Sequence, residues 1–348
     1  MIDLAALQAG AKASEWAERV QVRGDVRVRH DSLDSDGEDA RLRERVRARV
    51  SVAAKLDEGF GATIALASGN DDPISRNQTL DGGFSSKDIN IEQAFVSWKP
   101  ASVANLELLA GKFRLPVRVQ GDASLVFDSD VNPEGLHVAY RHPIGDLSFF
   151  ANASAWWVDE RSSSADAVLY GAQAGLRIPA GEGGEVVATL SNHHYSNIEG
   201  RTSIYEATGR GNLLAGGRYT TGYNIVELGL DWKGNIGPAA ATLFGDWVRN
   251  TEADRFDTGV ALGGTLAHRG ITLGYFWKSL EADAVLGVFA DSDFGLGGTD
   301  VEGHQFSVEY DLTRAVNLRA RWATVEHGDN AGRTQDADRI LLDVLVRY

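Results

Sequence analysis

Apolar and polar side chains alternate along most of this chain with a period of two. The run Arg41 to Arg49 (RLRERVRAR) shows the pattern most regularly, because arginine stands at every second position. Successive side chains of a β-strand point to opposite faces, so guanidinium groups fall on one face and mostly apolar groups on the other. A soluble sheet buries such an apolar face. A membrane barrel turns it to lipid and keeps the polar face in a water-filled lumen.

The same period predicts sixteen strands, and therefore an all-β fold, a transmembrane antiparallel β-barrel. They cover approximately residues 19–30, 40–56, 59–68, 89–99, 105–114, 136–141, 146–158, 167–178, 185–195, 223–233, 238–249, 257–267, 270–280, 304–312, 316–326 and 338–348. Residues 2–18 lack the alternation and are rich in Ala, Leu and Glu, as in a helix. We therefore predict a periplasmic helical segment over 1–18 and a barrel over 19–348.

The connections between these strands alternate in length. Short ones are predicted near 57–58, 100–104, 142–145, 179–184, Lys233-Gly234-Asn235, 268–269 and 313–315, and long ones at 69–88, 115–135, 196–222 and 281–303. Outer-membrane barrels have short periplasmic turns, longer extracellular loops and an even number of strands. The order of the connections therefore predicts an outer-membrane barrel of a Gram-negative-type bacterium.

Aromatic residues concentrate at the ends of the predicted strands. One set lies near the periplasmic ends (Phe60, Trp98, Tyr140, Trp232, Tyr310 and Tyr348), and a second set near the outer ends (Trp157, Trp247 and Trp277). Such rings anchor a barrel at the membrane interface, because the ring is apolar while its N–H or O–H reaches water. The alternative is that they form the core of a soluble β-protein. The chain also ends on an aromatic after an amphipathic strand, like the assembly signal of bacterial outer-membrane proteins.

The composition fits a barrel and excludes other classes. The chain has 348 residues and a net charge of −15, which argues against nucleic acid as a partner. It has no cysteine, so disulfides and thiol-based chemistry are excluded. The chain contains no run of about 20 apolar residues, so no transmembrane helix is predicted. The start, Met1-Ile2-Asp3, lacks the features of a signal peptide, and because a barrel must be exported we interpret the sequence as a mature or trimmed form.

Closing a sixteen-stranded barrel makes strands 15, 16, 1 and 2 neighbours, and their inward positions are rich in arginine. The predicted basic wall of the pore consists of Arg23, Arg27, Arg29, Arg41, Arg43, Arg45, Arg47, Arg49, Arg319, Arg321 and Arg339, with Arg347 at its end. So many like charges would repel severely in a dry core. The wall therefore predicts a hydrated lumen with counter-charge opposite.

Loop 115–135 is the third extracellular loop and a natural source of that counter-charge, through Asp122, Asp128, Asp130 and Glu134. In sixteen-stranded general porins the third loop folds into the barrel, and we predict the same constriction here. Opposed charged walls produce a transverse field that sets ion preference. The alternative is an external loop with solvated acids. Inward acids on strands 10 and 11 (Glu227, Asp231 and Asp246) are expected to add to the field from the far wall.

Three parts of the chain carry further motifs. These are WAERVQVRGDVR over 16–27, FDSDVNPEGL over 127–136, and DAVL, DSDFG and GGTD over 283–286, 291–295 and 297–300. Together they resemble the bacterial "putative porin" family, over nearly the whole chain. The resemblance implies an outer-membrane channel and adds little about cargo. Members of that family often begin with a longer helical periplasmic segment, of which residues 2–18 are interpreted as a remnant.

Other candidate sites have weaker patterns. His193 and His194 are adjacent in a strand and point to opposite faces, so they cannot easily chelate a metal. Asp291, Asp293 and Asp300 are weak candidates for a structural Ca²⁺, because their segment lacks the EF-hand spacing and terminal Glu. No catalytic triad order, P-loop or dinucleotide motif is present. We therefore predict that the protein is not an enzyme, has no catalytic residue and binds no cofactor.

Three functional hypotheses remain. The first is a porin for passive diffusion of small hydrophilic solutes and ions. The second is a channel selective for an anionic solute, since the planar fork of arginine pairs bidentately with carboxylate or phosphate. The third is a structural tether that reaches a periplasmic or cell-wall partner through the N-terminal segment. Expected partners also include outer-membrane lipid and lipopolysaccharide, and two further copies of the chain, because general porins are commonly homotrimers with a latching second loop.

Overall fold

The structure, a computed structural model, describes residues 17–181, 183–205 and 208–348. Across these residues the chain forms sixteen long strands. In chain order they are β1 Val20–Ser35, β2 Arg41–Lys55, β3 Phe60–Ser68, β4 Ile89–Trp98, β5 Leu106–Lys112, β6 Glu134–Ile144, β7 Leu147–Asp159, β8 Ala167–Pro179, β9 Glu185–Tyr195, β10 Tyr223–Ile236, β11 Ala239–Asn250, β12 Thr258–His268, β13 Ile271–Leu280, β14 Val301–Asp311, β15 Val316–His327 and β16 Gln335–Arg347. Residues 17–19 are helical, and the remainder of the predicted N-terminal segment lies outside the described residues.

The sheet closes on itself. Each long strand pairs antiparallel with its sequence neighbours, and β1 pairs with β2 on one side and β16 on the other. Val28 of β1 thus lies between Val46 of β2 and Val344 of β16. Closure leaves no unpaired strand edge in lipid, which is the condition for strands that cross a membrane. The predicted sixteen-stranded antiparallel barrel is confirmed.

The connections follow the prediction with two corrections. The turn predicted at Lys233-Gly234-Asn235 lies instead at 237–238, because β10 stays paired with β11 as far as Ile236, and Gly237 takes the positive φ of +58° that the tight turn requires. The alternation of lengths is also less strict than predicted. Loops 69–88, 113–133, 196–222 and 281–300 are long, whereas 36–40, 160–166, 251–257 and 328–334 are short.

The outward face of the barrel is apolar. Exposed side chains run along successive strands, among them Val22, Val28, Leu42, Ile64, Leu190, Leu230, Leu243 and Leu342. Exposed aromatics stand at one rim (Phe60, Trp98, Tyr140, Tyr310 and Tyr348) and Trp157 at the other, while Trp232, Trp247 and Trp277 are half-buried. Within the described part of the chain, helices are all too short or too polar to cross a membrane. The exposed belt is the surface that lipid covers in a membrane barrel.

The apolar core lies inside the barrel and is built largely from loops. Loop 69–88 contributes Ile74, loop 113–133 contributes Leu125 and Phe127, and loop 281–300 contributes Val285 and Phe294, all fully or almost fully buried. They pack against inward side chains that include Trp156, Tyr223, Val248 and Phe276. The lumen is therefore narrower than the wide hydrated channel predicted from the arginines, because apolar loop residues fill one side of it.

Candidate functional site: the arginine wall

The arginine wall consists of the inward side chains of β15, β16, β1 and β2. It contains the residues predicted from the alternation, namely Arg23, Arg27, Arg29, Arg41, Arg43, Arg45, Arg47, Arg49, Arg319, Arg321 and Arg339. The register places Arg27 opposite Arg47 and Arg29 opposite Arg45. Like charges directly opposite each other destabilise a sheet, so this arrangement needs carboxylates nearby.

Part of the counter-charge belongs to the wall itself. Asp31 of β1, which is fully buried, accepts hydrogen bonds from Arg43 at 2.7 Å and from Arg339 at 3.0 Å. Asp343 of β16 accepts from Arg29 Nε at 2.6 Å. Asp25 of β1 accepts from Arg47 at 2.8 Å, and Glu92 of β4 lies 3.0 Å from Arg49. These carboxylates hold the guanidinium groups apart in fixed positions.

Two further carboxylates reach the wall from loops. Asp130 of loop 113–133 accepts from Arg49 Nη2 at 2.6 Å. Asp293 of loop 281–300 accepts from Arg29 Nη1 through both oxygens, at 2.8 and 2.9 Å, and from Arg321 Nη2 at 2.9 Å. The wall thus meets an acidic group from each of two inserted loops, and the second one was not predicted as a partner of the arginines.

Loop 113–133 crosses the lumen. Its first half reaches the side opposite the arginine wall, where Arg118 donates to Asp231 of β10 at 2.6 Å and Gln120 donates to Thr189 of β9. Its second half returns to β2 through Asp130. Both halves are held by side chains that point into the barrel, so the loop divides the lumen at this level.

The four acids predicted to face the arginines have different positions. Asp130 contacts the wall. Asp122 is exposed and lines a cavity in front of it. Asp128 is buried and joins two loops, because its carboxyl group accepts from the backbone N–H of Ser292 at 2.9 Å. Glu134 starts β6 and pairs with Lys112 at 2.7 Å, away from the arginines.

The protonation of the loop aspartates follows from their surroundings. Burial raises the pKa of Asp128 well above its usual range, and the neighbouring Asp130 and Asp291 add to the rise. Burial would also raise the pKa of Asp130, but Arg49 and other wall arginines outweigh it and lower that pKa. The wall arginines likewise hold the pKa of Asp293 well below its usual range, against the effect of burial. The two carboxylates that touch the wall are therefore charged.

The arginines retain unused hydrogen-bond donors. The buried Nε–H groups of Arg27, Arg43, Arg45 and Arg321 have no hydrogen-bond partner among the described residues. A buried donor without a partner is costly, and an anion or ordered water in front of it removes that cost. The wall is therefore able to bind anions in addition to its own carboxylates.

Three cavities follow the arginine wall from one end of the barrel to the other. The outer cavity, about 300 Å³, lies beside Arg41 and Arg43 at the loop end of β2. The middle cavity, about 320 Å³, lies beside Arg319 and Arg321. The inner cavity, about 760 Å³, lies at the opposite end and is lined by residues that include Arg23 and Arg347.

Neighbouring cavities share lining residues. Ser292 lines both the outer and the middle cavity. Arg114 and Ser129 line both the middle and the inner cavity. The three cavities are therefore adjacent along the arginines and meet where loops 281–300 and 113–133 touch the wall. We call this series of cavities the track.

The other predicted sites lie elsewhere. Glu227 and Asp246 are buried on the far wall, where Glu227 lies 3.3 Å from His193, and Asp231 is taken by Arg118. They lie under loop 113–133 rather than facing the track, because that loop covers their wall. His194 points the other way and lies 3.5 Å from Glu252, so the two histidines do occupy opposite faces.

The three weak calcium candidates serve separate partners. Asp293 binds the arginine wall, Asp291 lies 3.7 Å from Lys278, and Asp300 accepts from the backbone N–H of Asn330 at 2.9 Å. Among the residues that the structure describes, no group of three or more His, Asp or Glu side chains is arranged to hold a metal ion. This geometry gives the calcium prediction no support.

Some partners of the arginines could have been predicted from the sequence. Asp25 and Asp31 stand at odd positions of β1 like Arg27 and Arg29, and Asp343 stands at an odd position of β16 like Arg339. The period of two therefore places these carboxylates on the arginine face. Asp293 lies in a loop, where no such period applies, and only the folded structure brings it to the wall.

Comparisons with known proteins agree with this architecture. Residues 32–217 and 263–348 match the sequence profile of the family described as "Putative porin". No curated protein matches the sequence. The fold is similar to the structure of Pseudomonas putida OprB, with a TM-score of 0.65, 11% identity and coverage of 98% of this chain and 97% of that one.

Two other solved structures share the fold at similarly low identity. One is an OmpT of Vibrio cholerae that lacks its loop L8, with a TM-score of 0.55, 13% identity and coverage of 95% and 100%. The other is a mutant of the Rh. blastica porin, with a TM-score of 0.51, 12% identity and coverage of 94% and 100%. Family and fold are those of non-enzymatic channels and point to a bacterial outer membrane. The chain belongs to the "Putative porin" family.

Proposed function

We propose that the protein is an outer-membrane porin through which small hydrophilic solutes and ions diffuse passively along the arginine wall. The observation that supports this most directly is the series of cavities that share Ser292, Arg114 and Ser129. A polar track inside a barrel with an apolar outer surface suits solutes that cannot cross lipid. Loops that touch the wall restrict the size of such solutes.

Conductance in planar lipid bilayers tests this function. Purified, folded protein is expected to give stable single-channel steps whose current rises linearly with voltage. Heat-dependent migration on a gel reports in parallel that the barrel is folded. A folded barrel that carries no ionic current would contradict the proposal.

A thiol-blocking experiment locates the path. Because the chain has no cysteine, a single introduced thiol is the only one that reacts. Ser129 lines the middle and inner cavities, so a bulky thiol reagent on the Ser129→Cys variant should reduce the conductance. Ser163→Cys, on an exposed position of the connection 160–166, is the matched control and should conduct normally after labelling. Equal conductance in both labelled variants would place the path elsewhere.

Selectivity for anionic solutes is the second candidate. Two observations favour it. Within the described part of the chain, the wall arginines outnumber the carboxylates that pair with them, and several of their buried Nε–H groups lack a partner. Arginine is well suited to bind carboxylate and phosphate, because its donors match both oxygens of such a group. One measurement separates a general porin with an anion preference from a channel with a defined anion site. Only in the second should a single anion block the current in a way that saturates with its concentration.

We also propose that three copies assemble, with loop 69–88 at the contact. Phe84 of this loop is fully exposed and Leu80 is more than half exposed, which leaves apolar surface in water. Cross-linking in detergent is expected to trap trimers of the wild-type protein and fewer of the Phe84→Ser variant. Monomers alone in both proteins would contradict this assembly. The tether hypothesis concerns residues outside those described and stays a prediction.

A further inference from the structure

Asp293 occupies a pocket made of guanidinium groups. Its two oxygens accept from Arg29 Nη1 at 2.8 and 2.9 Å, one of them also accepts from Arg321 at 2.9 Å, and Arg339 Nη2 lies 3.8 Å from the other. Charge-assisted donors of two arginines thus converge on one carboxylate. The Nε and Nη2 groups of Arg29 are bound to Asp343, so Asp293 is held by the remaining nitrogen of Arg29 and by Arg321. The carboxylate is supplied here by the chain itself.

This carboxylate differs from those that belong to the wall. Asp343, which shares Arg29, lies on a barrel strand and its side chain is 5% exposed, whereas the Asp293 side chain is 19% exposed and lines the middle cavity. The preceding residue, Ser292, lines the boundary between the outer and middle cavities. A solute that follows the track must therefore pass the position of Asp293.

The backbone around Asp293 is anchored by contacts that do not involve the Asp293 side chain, since Arg339 Nη1 donates to the carbonyl oxygens of Ser292 and Gly295 at 2.7 and 3.0 Å. Phe294 is fully buried, 5.4 Å from the Phe276 ring, with the Lys278 ammonium 4.3 Å above its own ring. Gly295 and Gly297 follow with φ of +57° and +81°, which glycine adopts without strain. Release of Asp293 from the arginines does not require the buried phenylalanine to leave the core.

We propose that the pocket formed by Arg29, Arg321 and Arg339 is a binding site for the carboxylate of a small anionic solute, and that Asp293 is a tethered occupant which the solute displaces. This rests on the proposed channel function and names the class of solute that the track selects. In the exchange one carboxylate replaces another on these arginines, while Asp293 stays attached to the chain in the middle cavity. The unused Nε–H of Arg321 offers the incoming anion a further donor.

A tethered competitor has a quantitative consequence. The apparent affinity for a free carboxylate is the intrinsic affinity reduced by the fraction of time that Asp293 is away from the arginines. Since a tethered group has a high effective concentration at its site, binding by the wild-type protein should be weak and should tighten when Asp293 loses its charge. Asp293→Asn keeps the shape of the side chain and removes that charge.

The experiment measures block of single-channel current by succinate in planar bilayers, for wild type, Asp293→Asn and Asp122→Asn. Asp122 is the matched control, because it is an exposed carboxylate on the same middle cavity. We expect succinate to bind Asp293→Asn about tenfold more tightly than wild type, and Asp122→Asn to resemble wild type. Phosphate tests whether the site accepts other oxyanions, and neutral glucose reports steric block alone.

The inference is supported if the affinity for succinate rises more than threefold further in Asp293→Asn than in Asp122→Asn. A smaller difference between the two variants overturns it. Block by glucose as strong as by succinate, or block by phosphate with no response to succinate, overturns it as well. If Asp293→Asn does not fold, Asp293→Ser replaces it, because it also removes the tethered carboxylate: the same tightening of succinate block supports the inference, and a smaller difference overturns it. If the inference fails but the protein conducts potassium chloride normally, the proposed channel function is not contradicted. Folded wild-type protein that shows no conductance would contradict the channel function itself.

Discussion

Arg49 on β2 donates to Asp130 of loop 113–133 at 2.6 Å and so fixes a loop that lies 81 positions away in sequence. Arg47 lies 3.8 Å from the same carboxylate. Asp130→Asn removes the charge that both arginines face. A hydrogen bond to a charged group contributes about 2 kcal/mol, so the loop should detach from the wall more often.

Single-channel recordings measure this effect as current noise and brief closures, which should become more frequent in Asp130→Asn. Asp122→Asn, in the same loop and exposed, should leave the noise unchanged. Equal noise in all three proteins would mean that the contact does not control the position of the loop.

Arg43 and Arg45 should set the ion preference at the outer cavity. Both line that cavity, both donate to Asp31, and both have an Nε–H with no partner among the residues that the structure describes. Replacing both with glutamine leaves Asp31 with Arg339 alone, so the local charge becomes more negative. The reversal potential in a potassium chloride gradient should therefore move towards cation selectivity.

The double variant Arg269→Gln/Arg314→Gln is the control, because it also removes two charges. Arg269 is exposed between β12 and β13 and Arg314 between β14 and β15, both outside the track. The reversal potential of this variant should equal that of the wild type. A shift of the same size in both proteins would indicate a general surface-charge effect instead of a local one.

Strand positions and the arginine face could be predicted because both depend on the period of two. Arg41 to Arg49 share one face at any register, and barrel closure brings them beside Arg29 and Arg339. Asp31 and Asp343 stand at odd positions like these arginines, so the same period places them on the arginine face. The period of two predicts the direction of a side chain only within a strand, and not in the loops.

The contents of the lumen could not be predicted in this way. Leu125, Phe127 and Phe294 belong to loops without periodicity, and they fold inwards because burial of apolar side chains in the barrel is favourable. Asp293 resembled a calcium ligand in the sequence and is a partner of arginine in the structure. The sequence predicted the turn at Lys233-Gly234-Asn235 instead of 237–238. That prediction is wrong because Gly234 lies inside a paired strand, where it makes no turn.

Asp128 makes the contact between loops 113–133 and 281–300 dependent on pH. Its carboxyl group faces Asp130, Asp291 and Asp293, with Lys278 as the cation packed against the same loops. Burial raises its pKa well above the ordinary value. The protonated form of such a group stabilises the folded contact. Its full contribution is present below the pKa of an ordinary aspartate, and it is lost as the pH rises through the raised pKa of the folded state.

Hydrogen exchange of the backbone in loop 281–300 should therefore quicken as the pH rises, once corrected for the intrinsic rate of exchange. In Asp128→Asn the group cannot ionise, so the corrected exchange should change little with pH. A wild-type loop whose corrected protection is independent of pH would show that Asp128 does not link the two loops in this way.

Leu342 tests which face of β16 meets lipid. It lies near the middle of the strand, points outwards and is about half exposed. An arginine at the bilayer midplane of a barrel costs about 2–4 kcal/mol. Leu342→Arg should lower the free energy of unfolding from lipid vesicles by that amount in a denaturant titration. Ser97→Arg, on an inward position between Gly61 and Leu109, should change it by less than about 1 kcal/mol, because its charge stays in water. Equal losses in the two variants would mean that the outward side chains of β16 are not in contact with lipid.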